Sequence, residues 1–396
     1  MSRHSDGSPT FGTATWLNSP IYIEAYNVSD NGQNLWAFQS SLPLSDLSTF
    51  QVDLARHAVT FGVSGVVDLV GAQANFVPPS ACNVYAFNSR GTNVPVWAIN
   101  VSNCDANLLY DDDRNIDISD DGSTVAFSGF VTSGATTLAT MWIIDGQSGN
   151  VLFSKTNANG GPVQLSENGT YVAWTVGDSV IVYETATGTV RDTIAMGWNT
   201  QAELSDSGDY LAFAGDDAGY IYNWDATNNQ YKLAYTVVPP NGGTWYSISC
   251  AISSDGSGTN NGELVTFSFI DGQALSARIL IYSMVSGQLL TDYTTPKNAQ
   301  LQTNPTVRMD RNYAGVCLWG DNDDVPTAIV LQAGSSNPVF TYVTPGSMFG
   351  VDIVVDATAS TPTQDVIYFS VAGKHVPANV MGNGGDAYSW QIVVPK

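Results

Sequence analysis

Clusters of aspartate are the residues of this sequence best suited to chemistry. One cluster is Asp111-Asp112-Asp113. Two more occupy predicted loops that follow short apolar runs, and their members are Asp216, Asp217, Asp321, Asp323 and Asp324. Carboxylates that converge on one face supply the oxygen ligands that Ca²⁺ prefers. The sequence therefore predicts a site for Ca²⁺ or a similar ion, and the alternative is solvated turns, in which Asp hydrogen-bonds its own backbone.

Familiar catalytic motifs are missing from the sequence. Its three histidines, His4, His57 and His375, lie in a polar tail and in predicted turns or loops. No GxSxG, HExxH, P-loop or CxxC pattern occurs, and such patterns place the nucleophiles, bases and metal ligands of several large enzyme classes. We therefore expect a protein that is not an enzyme and, apart from the ion considered above, needs no cofactor.

The four cysteines divide into two pairs. Cys82 and Cys104 flank one predicted hairpin, and residues about equally far from an antiparallel turn come close enough to form a disulfide. A disulfide would place the protein outside the cytosol. Cys250 and Cys317 fall at predicted core positions, where we expect buried free thiols.

Three Asn-x-Ser/Thr sequons are candidates for N-glycosylation, and they begin at Asn27, Asn100 and Asn168. Asn27 and Asn168 lie in predicted hairpin turns, from which a glycan would project into solvent. Chance also produces such triplets in a chain rich in Asn, Ser and Thr, so the sequons alone are weak evidence.

The charge of the chain limits its partners. The formal net charge is −23, and so acidic a surface repels the phosphate backbone of nucleic acids. No apolar stretch approaches the roughly 20 residues of a membrane span, and residues 1–10 lack the apolar core of a signal peptide. Scarce Lys, with abundant Asn, Gly, Ser and Thr, favours an extracellular protein by analogy with secreted chains in general.

A short repeated unit predicts the β-strands whose connecting loops carry these candidate residues. The unit reads apolar-x-apolar-Ser/Asp and is followed by a turn. Its seven copies are Phe50-Gln51-Val52-Asp53, Ile116-Asp117-Ile118-Ser119, Val163-Gln164-Leu165-Ser166, Ala202-Glu203-Leu204-Ser205, Cys250-Ala251-Ile252-Ser253, Val307-Arg308-Met309-Asp310 and Ile353-Val354-Val355-Asp356.

Three further strands are predicted after each unit except the last. A second apolar run such as Val125-Ala126-Phe127 follows turns that read SDDG, SENG, SDSG or SSDG, which suits the chemistry of tight turns. A second hairpin follows, for example in MWIIDGQSGNVLF and VIVYETATGTVRDTI. Four short antiparallel strands, repeated seven times, are typical of a β-propeller.

The chain thus resembles seven-bladed propellers of the WD-repeat and quinoprotein-like type. Trp224-Asp225 stands at the end of a predicted third strand, where WD-repeat proteins place their WD dipeptide. We expect an all-β protein with one propeller domain over residues 21–396, built from seven four-stranded antiparallel blades, and a polar N-terminal arm over residues 1–20. Six or eight blades are the alternatives.

The last blade is predicted to contain both ends of the chain, because residues 350–371 supply only a first and a second strand. Residues 21–39 have the pattern of a third and a fourth strand, yet residues 388–394, YSWQIVV, form another strand candidate. Residues 21–26 and 388–394 therefore compete for the place of the third strand.

The leading functional hypothesis is a non-enzymatic extracellular structural or binding propeller, glycosylated and able to bind copies of itself. The arm would provide that contact, by strand addition or by lying on an adjacent disc, and a contact that does not close would grow a filament. One alternative is a carbohydrate-binding lectin or carbohydrate-active enzyme, and another is an intracellular interaction scaffold of the WD-repeat type.

Overall fold

The computed structural model describes residues 22–23, 47–54, 61–68, 81–88, 97–102, 104–105, 116–119, 122–196, 199–215, 218–239, 245–253, 264–271, 276–296, 305–318, 325–344, 348–356, 359–374 and 385–396. All the regular secondary-structure elements assigned within these residues are β-strands. The described strands form seven sheets, so the all-β prediction is confirmed. Among the described residues, no helix is long and apolar enough to cross a membrane.

Each copy of the repeated unit contributes its apolar-x-apolar residues to the first strand of a sheet. Alternation of apolar and other residues suits a strand with one face in a core. These first strands are β2 (Leu47–Leu54), β7 (Ile116–Ile118), β11 (Gly160–Leu165), β15 (Asn199–Leu204), β19 (Trp245–Ile252), β23 (Pro305–Asp310) and β27 (Met348–Val355).

The second strands pair antiparallel with the first strands. They are β3 (Phe61–Asp68), β8 (Thr124–Ser133), β12 (Tyr171–Val176), β16 (Tyr210–Gly215), β20 (Leu264–Asp271), β24 (Tyr313–Leu318) and β28 (Gln364–Lys374). The third strands are β4 (Ala81–Asn88), β9 (Thr136–Asp145), β13 (Ser179–Glu184), β17 (Gly219–Asp225), β21 (Ser276–Ser283), β25 (Ala328–Gln332) and β29 (Gly385–Pro395).

Fourth strands complete most of the sheets. They are β5 (Trp97–Ser102), β10 (Val151–Asn157), β14 (Val190–Ala195), β18 (Gln230–Val237), β22 (Leu289–Thr294) and β26 (Phe340–Tyr342). Four consecutive sheets, from β11 to β26, are four-stranded antiparallel meanders in chain order. The predicted repeat of four strands is confirmed in these sheets.

The serine that ends four of the units closes the turn to the second strand. In each case the hydroxyl oxygen of the serine accepts a hydrogen bond from the backbone N–H of the first residue of the second strand. The turn would otherwise leave this N–H unpaired. The bonds are Thr124 N to Ser119 Oγ at 3.0 Å, Tyr171 N to Ser166 Oγ at 3.0 Å, Tyr210 N to Ser205 Oγ at 3.0 Å and Leu264 N to Ser253 Oγ at 3.1 Å.

The hydrophobic core lies between successive sheets. One cluster, for example, joins Met141 of β9 to Val163 of β11 and Trp174 of β12, all of them buried. Cys250 and Cys317 are buried free thiols in two such clusters, which confirms the prediction for this pair.

The sheets near the chain ends depart from the repeat. β29 pairs with the whole length of β28 and so takes the place of the third strand. The short strand β1 (Tyr22–Ile23) pairs parallel with β2 instead, so of the two candidates for the third strand the structure selects residues 388–394. The antiparallel ladder between β28 and β29 runs from Gln364↔Pro395 to Lys374↔Gly385. In the second sheet, β7 and another short strand, β6 (Cys104–Asp105), both pair with β8.

Candidate functional site

The predicted ion-binding aspartates belong to two connections of the same kind. Asp216 and Asp217 fall between β16 and β17, and Asp321, Asp323 and Asp324 fall between β24 and β25. All five lie outside the described residues, so the predicted ion site stays a prediction. Within the described ranges, no group of three or more His, Cys, Asp or Glu side chains is arranged to hold a metal ion.

The predicted disulfide partners lie in different sheets. Cys82 of β4 is in register with Val101 of β5, whereas Cys104 of β6 is in register with Val131 of β8. The side chains of both cysteines lie outside what the structure describes, and the disulfide stays a prediction.

The three sequons have different surroundings. Asn27 lies outside the described residues. Asn100 lies within β5, in register with Asn83 of β4, and its side chain is not among those described. Asn168 lies exposed in the turn between β11 and β12.

Polar side chains, all of them buried except the partly buried Arg308, link the first strands, and the sequence analysis missed them. We call Asp117, Gln201, Glu203, Ser249, Arg308 and Asp310 the first-strand polar cluster. Asp117 Oδ2 accepts a hydrogen bond of 2.5 Å from the backbone N–H of Leu165 in the next sheet. Asp310 Oδ2 accepts one of 2.5 Å from Val355 in the same way. Each carboxylate therefore joins two consecutive sheets by a charge-assisted bond.

Neutral acceptors make the same link between other sheets. Gln201 Oε1 of β15 accepts hydrogen bonds from Ser249 Oγ at 2.6 Å and from Cys250 N at 3.3 Å, both in β19. Ser249 Oγ in turn accepts a bond of 3.3 Å from Val307 N in β23. A side-chain acceptor thus meets a backbone donor of the following first strand at four boundaries between sheets.

An ion pair completes the first-strand polar cluster. Glu203 Oε1 of β15 lies 3.8 Å from Arg308 Nη1 of β23. Both residues occupy the middle position of a repeated unit, and the intervening strand β19 has the small Ala251 at that position. Glu203 is only 4 % exposed, so the pairing offsets the cost of burying its charge.

The polar residue in the middle of several repeated units could have indicated this cluster from the sequence. Asp117, Gln164, Glu203 and Arg308 each stand between two apolar residues. The first three are almost fully buried. The cluster holds its polar groups in fixed partnerships between strands, and it is suited to joining sheets.

A second set of contacts joins the sheets at their outer strands. We call these the rim contacts: a large side chain of a fourth strand lies against the glycine of the next sheet's turn between third and fourth strands. The pairs are Trp97 with Gly149, Phe153 with Gly188 and Tyr235 with Gly287. The Trp97 indole also donates a hydrogen bond of 2.8 Å to Gly146 O, and the Tyr235 hydroxyl donates one of 3.3 Å to Val285 O.

One boundary between sheets uses arginine instead of an aromatic ring. The guanidinium of Arg191 in β14 lies 3.8 Å from the ring centre of Tyr171 and 4.0 Å from that of Trp224. Its Nη1 donates hydrogen bonds to Gly208 O at 2.7 Å and to Tyr231 Oη at 3.2 Å. Trp224 belongs to the Trp-Asp dipeptide, which therefore contributes to the boundary with the preceding sheet.

The turn at this boundary has no glycine for a ring to cover. Asn229 takes the left-handed conformation there, with φ of 49°.

Burial raises the pKa of Tyr231 above its usual range, so its hydroxyl stays protonated and donates to Gly208 O.

The sheets and their order define a protein of the β-propeller class. No family model matches the sequence and no curated protein matches it. The structure of U3-55K superposes with a TM-score of 0.52 at 10% identity, and the match covers 89% of this chain and 99% of that one. BamB from Moraxella catarrhalis matches with a TM-score of 0.48 at 14% identity, over 95% and 97% of the two chains. The β-propeller domain of the trilobed protease from Pyrococcus furiosus matches with a TM-score of 0.49 at 10% identity, over 88% and 97%. The chain has the β-propeller fold.

Proposed function

We propose that this chain is a non-enzymatic extracellular β-propeller that acts as a structural or binding scaffold. The first-strand polar cluster is the observation that carries the proposal. Its acceptors are bonded to the neighbouring first strands, and Glu203 is paired with Arg308. Polar groups committed in this way favour a rigid support over a reactive centre.

A ring of seven blades is part of this proposal. The first strand β2 contacts both β7 and β27, and β1 contacts β28 and β29. These contacts between the two ends of the chain support closure of the ring. A closed ring suits a scaffold because the strand edges that remain are short and protected.

Counting reactive thiols tests the extracellular location. The chain is expressed with a cleavable secretion leader, denatured without reductant and alkylated, and its mass is measured. We expect two alkylated cysteines, Cys250 and Cys317, with Cys82 and Cys104 joined in a disulfide. Four alkylated cysteines would contradict the disulfide and favour the intracellular WD-repeat alternative.

Carbohydrate recognition is the other alternative to be separated from the scaffold. The secreted protein is applied to a glycan array and incubated with a panel of glycosides. The proposal predicts neither saturable glycan binding nor turnover. Saturable binding to one glycan class would replace the scaffold by a lectin, and turnover would replace it by an enzyme.

Self-assembly through the N-terminal arm is a separate part of the proposal. The arm, residues 1–20, lies outside the described residues, and its role is inferred from its polar sequence and its position ahead of the propeller strands. Light scattering of the full chain and of a variant lacking residues 1–18 measures the assembled mass. We expect the deletion to weaken assembly, and equal masses would exclude the arm from it.

Ion binding is tested by calorimetric titration with Ca²⁺. The wild type is compared with the double variant Asp321→Asn/Asp323→Asn, which removes two carboxylates and keeps the side-chain size. Binding by the wild type alone would support the predicted site. Equal binding by both proteins, or no binding by either, would exclude these residues as ligands.

A further inference from the structure

The turn between β11 and β12 holds the Asn168-Gly169-Thr170 sequon in one defined conformation. Asn168 Oδ1 accepts hydrogen bonds from Thr170 N at 2.9 Å and from Ser166 Oγ at 2.8 Å. The bond to the backbone two residues ahead makes this an Asx turn.

Neighbouring sheets hold the turn from both sides. The backbone N–H of Asn168 donates to Asp206 O at 3.3 Å in the following sheet. On the other side, Gly169 packs against Ser119 and Thr124 of the preceding sheet, so closely that a Cβ on Gly169 would lie 3.0 Å from each. The Asn168 side chain therefore has a fixed base from which to project.

The amide nitrogen of Asn168 points away from these bonds. Both side-chain bonds use Oδ1, and within the described part of the chain Nδ2 makes no hydrogen bond. The side chains of Asn168 and Thr170 are both exposed. A group attached to Nδ2 would replace solvent and would break none of the turn's hydrogen bonds.

The sequon at Asn100 offers a different setting. Asn100 and Ser102 lie within β5, in register with Asn83 and Ala81 of β4. That sequon is part of an extended ladder, whereas the sequon at Asn168 occupies an exposed turn, the setting typical of a glycosylated asparagine in a secreted protein.

We propose that Asn168 carries an N-linked oligosaccharide, an inference that rests on the proposed extracellular function. The co-reactant is a glycosyl diphosphate. Nδ2 attacks the anomeric carbon of the sugar, a C–N bond forms, and the C–O bond to the diphosphate breaks. The diphosphate leaves with the electron pair of that bond, and Nδ2 loses one proton to the transferase.

The position of the glycan has a consequence for binding. The turn that carries Asn168 joins a first strand to a second strand, whereas Asp216 and Asp217 fall between a second and a third strand. Connections of these two kinds lie at opposite ends of an antiparallel sheet. A bulky glycan at Asn168 covers one face of the propeller and leaves the aspartate-bearing face open to a partner.

The test uses the full chain, secreted from a eukaryotic host through an added leader, with the mass of its proteolytic peptides as the readout. The peptide with Asn168 should carry a glycan, and peptide N-glycosidase should convert the asparagine to aspartate. Asn168→Asp keeps an oxygen acceptor for the turn and removes the reacting nitrogen, so it should lose one glycan mass and stay folded. Thr170→Ala should also lose that glycan, and the matched Thr170→Ser should retain it.

The outcomes separate this inference from the proposed function. Secreted, folded wild type whose Asn168 peptide is wholly unmodified would overturn the inference and leave the extracellular scaffold standing. Four free thiols in the secreted protein would count against the extracellular location, whatever the state of Asn168. Loss of the glycan in Asn100→Gln, with retention in Asn168→Asp, would assign the glycan to β5 and also overturn the inference.

Discussion

The first-strand polar cluster and the rim contacts join the same sheets by different physical means. At the first strands, buried acceptors such as Asp117 and Asp310 receive backbone N–H groups of the next sheet. At the outer strands, large side chains such as Trp97 and Phe153 lie against glycines. The first means depends on hydrogen-bond partners, and the second depends on shape.

The two kinds of contact should differ in how well they tolerate substitution. A buried acceptor that is removed leaves an N–H group without a partner, whose desolvation costs free energy. A rim contact loses packing in proportion to the area uncovered. Substitutions among the first strands should therefore be more harmful than substitutions of similar size at the rim.

The largest effect is expected for Asp310→Ala. Asp310 is 0 % exposed, and its carboxylate accepts from Val355 N, so its loss should lower the free energy of unfolding by about 3 kcal/mol. Asp310→Asn keeps an oxygen acceptor and should cost clearly less. Urea denaturation measures both, and equal costs would show that the acceptor oxygen is unimportant.

Gly149→Ala should have the next largest effect, about 2 kcal/mol. Gly149 has a φ of +73°, and a Cβ there would lie 2.7 Å from the Trp97 ring. The matched control is Gly134→Ala, at a φ of +63° with no atom within 4 Å. The difference between the two variants in urea denaturation measures the packing against Trp97, and no difference would refute the rim contact.

Arg191→Lys should cost about 1 kcal/mol, because lysine keeps the charge but loses the planar stacking and the fork of donors. Arg191 lies between Tyr171 and Trp224. A double-mutant cycle with Trp224→Leu measures the coupling between them. Additive costs would mean that the stack contributes nothing beyond each residue alone.

The smallest effect at neutral pH is expected for Tyr313→Phe, at the start of the second strand β24. The Tyr313 hydroxyl donates to Asp365 Oδ2 at 3.0 Å. Burial, and then the bond to Asp365, raise its pKa above the usual range. Since the folded state favours the neutral phenol, the associated stability is fully present below the unfolded pKa of about 10. It should fall as the pH rises further.

Tyr313→Phe removes the phenol and leaves the ion pair between Lys396 and Asp365 in place. The variant should lose less stability than the wild type between neutral and strongly alkaline pH. Parallel pH profiles of the melting temperature would contradict the assignment.

The sequence predicted the repeat well because each unit combines strand alternation with a turn serine. It placed the first strands and the four-stranded meanders, as at Leu165-Ser166 and Leu204-Ser205. The sequence could not show which end of the chain forms the third strand of the last sheet, because residues 21–26 and 388–394 have similar patterns. Only the pairing of β28 distinguishes them.

The contacts between sheets were harder to predict from sequence. Gln201 and Ser249 precede their units, and nothing local shows that one would bond to the other. The rim glycines could be recognised as turn residues, but the identity of the covering side chain depends on how adjacent sheets pack. The predicted aspartate site lies outside the described residues and remains a prediction.

Native-state hydrogen exchange tests the central claim, that the first strands form a rigid structural junction, most directly. The amides of Leu165, Cys250, Val307 and Val355 donate to the first-strand polar cluster. We predict that they exchange only through global unfolding, with the full free energy and denaturant dependence of that process. Exchange of these amides through a smaller opening that is insensitive to denaturant, while rim amides stay protected, would contradict the account.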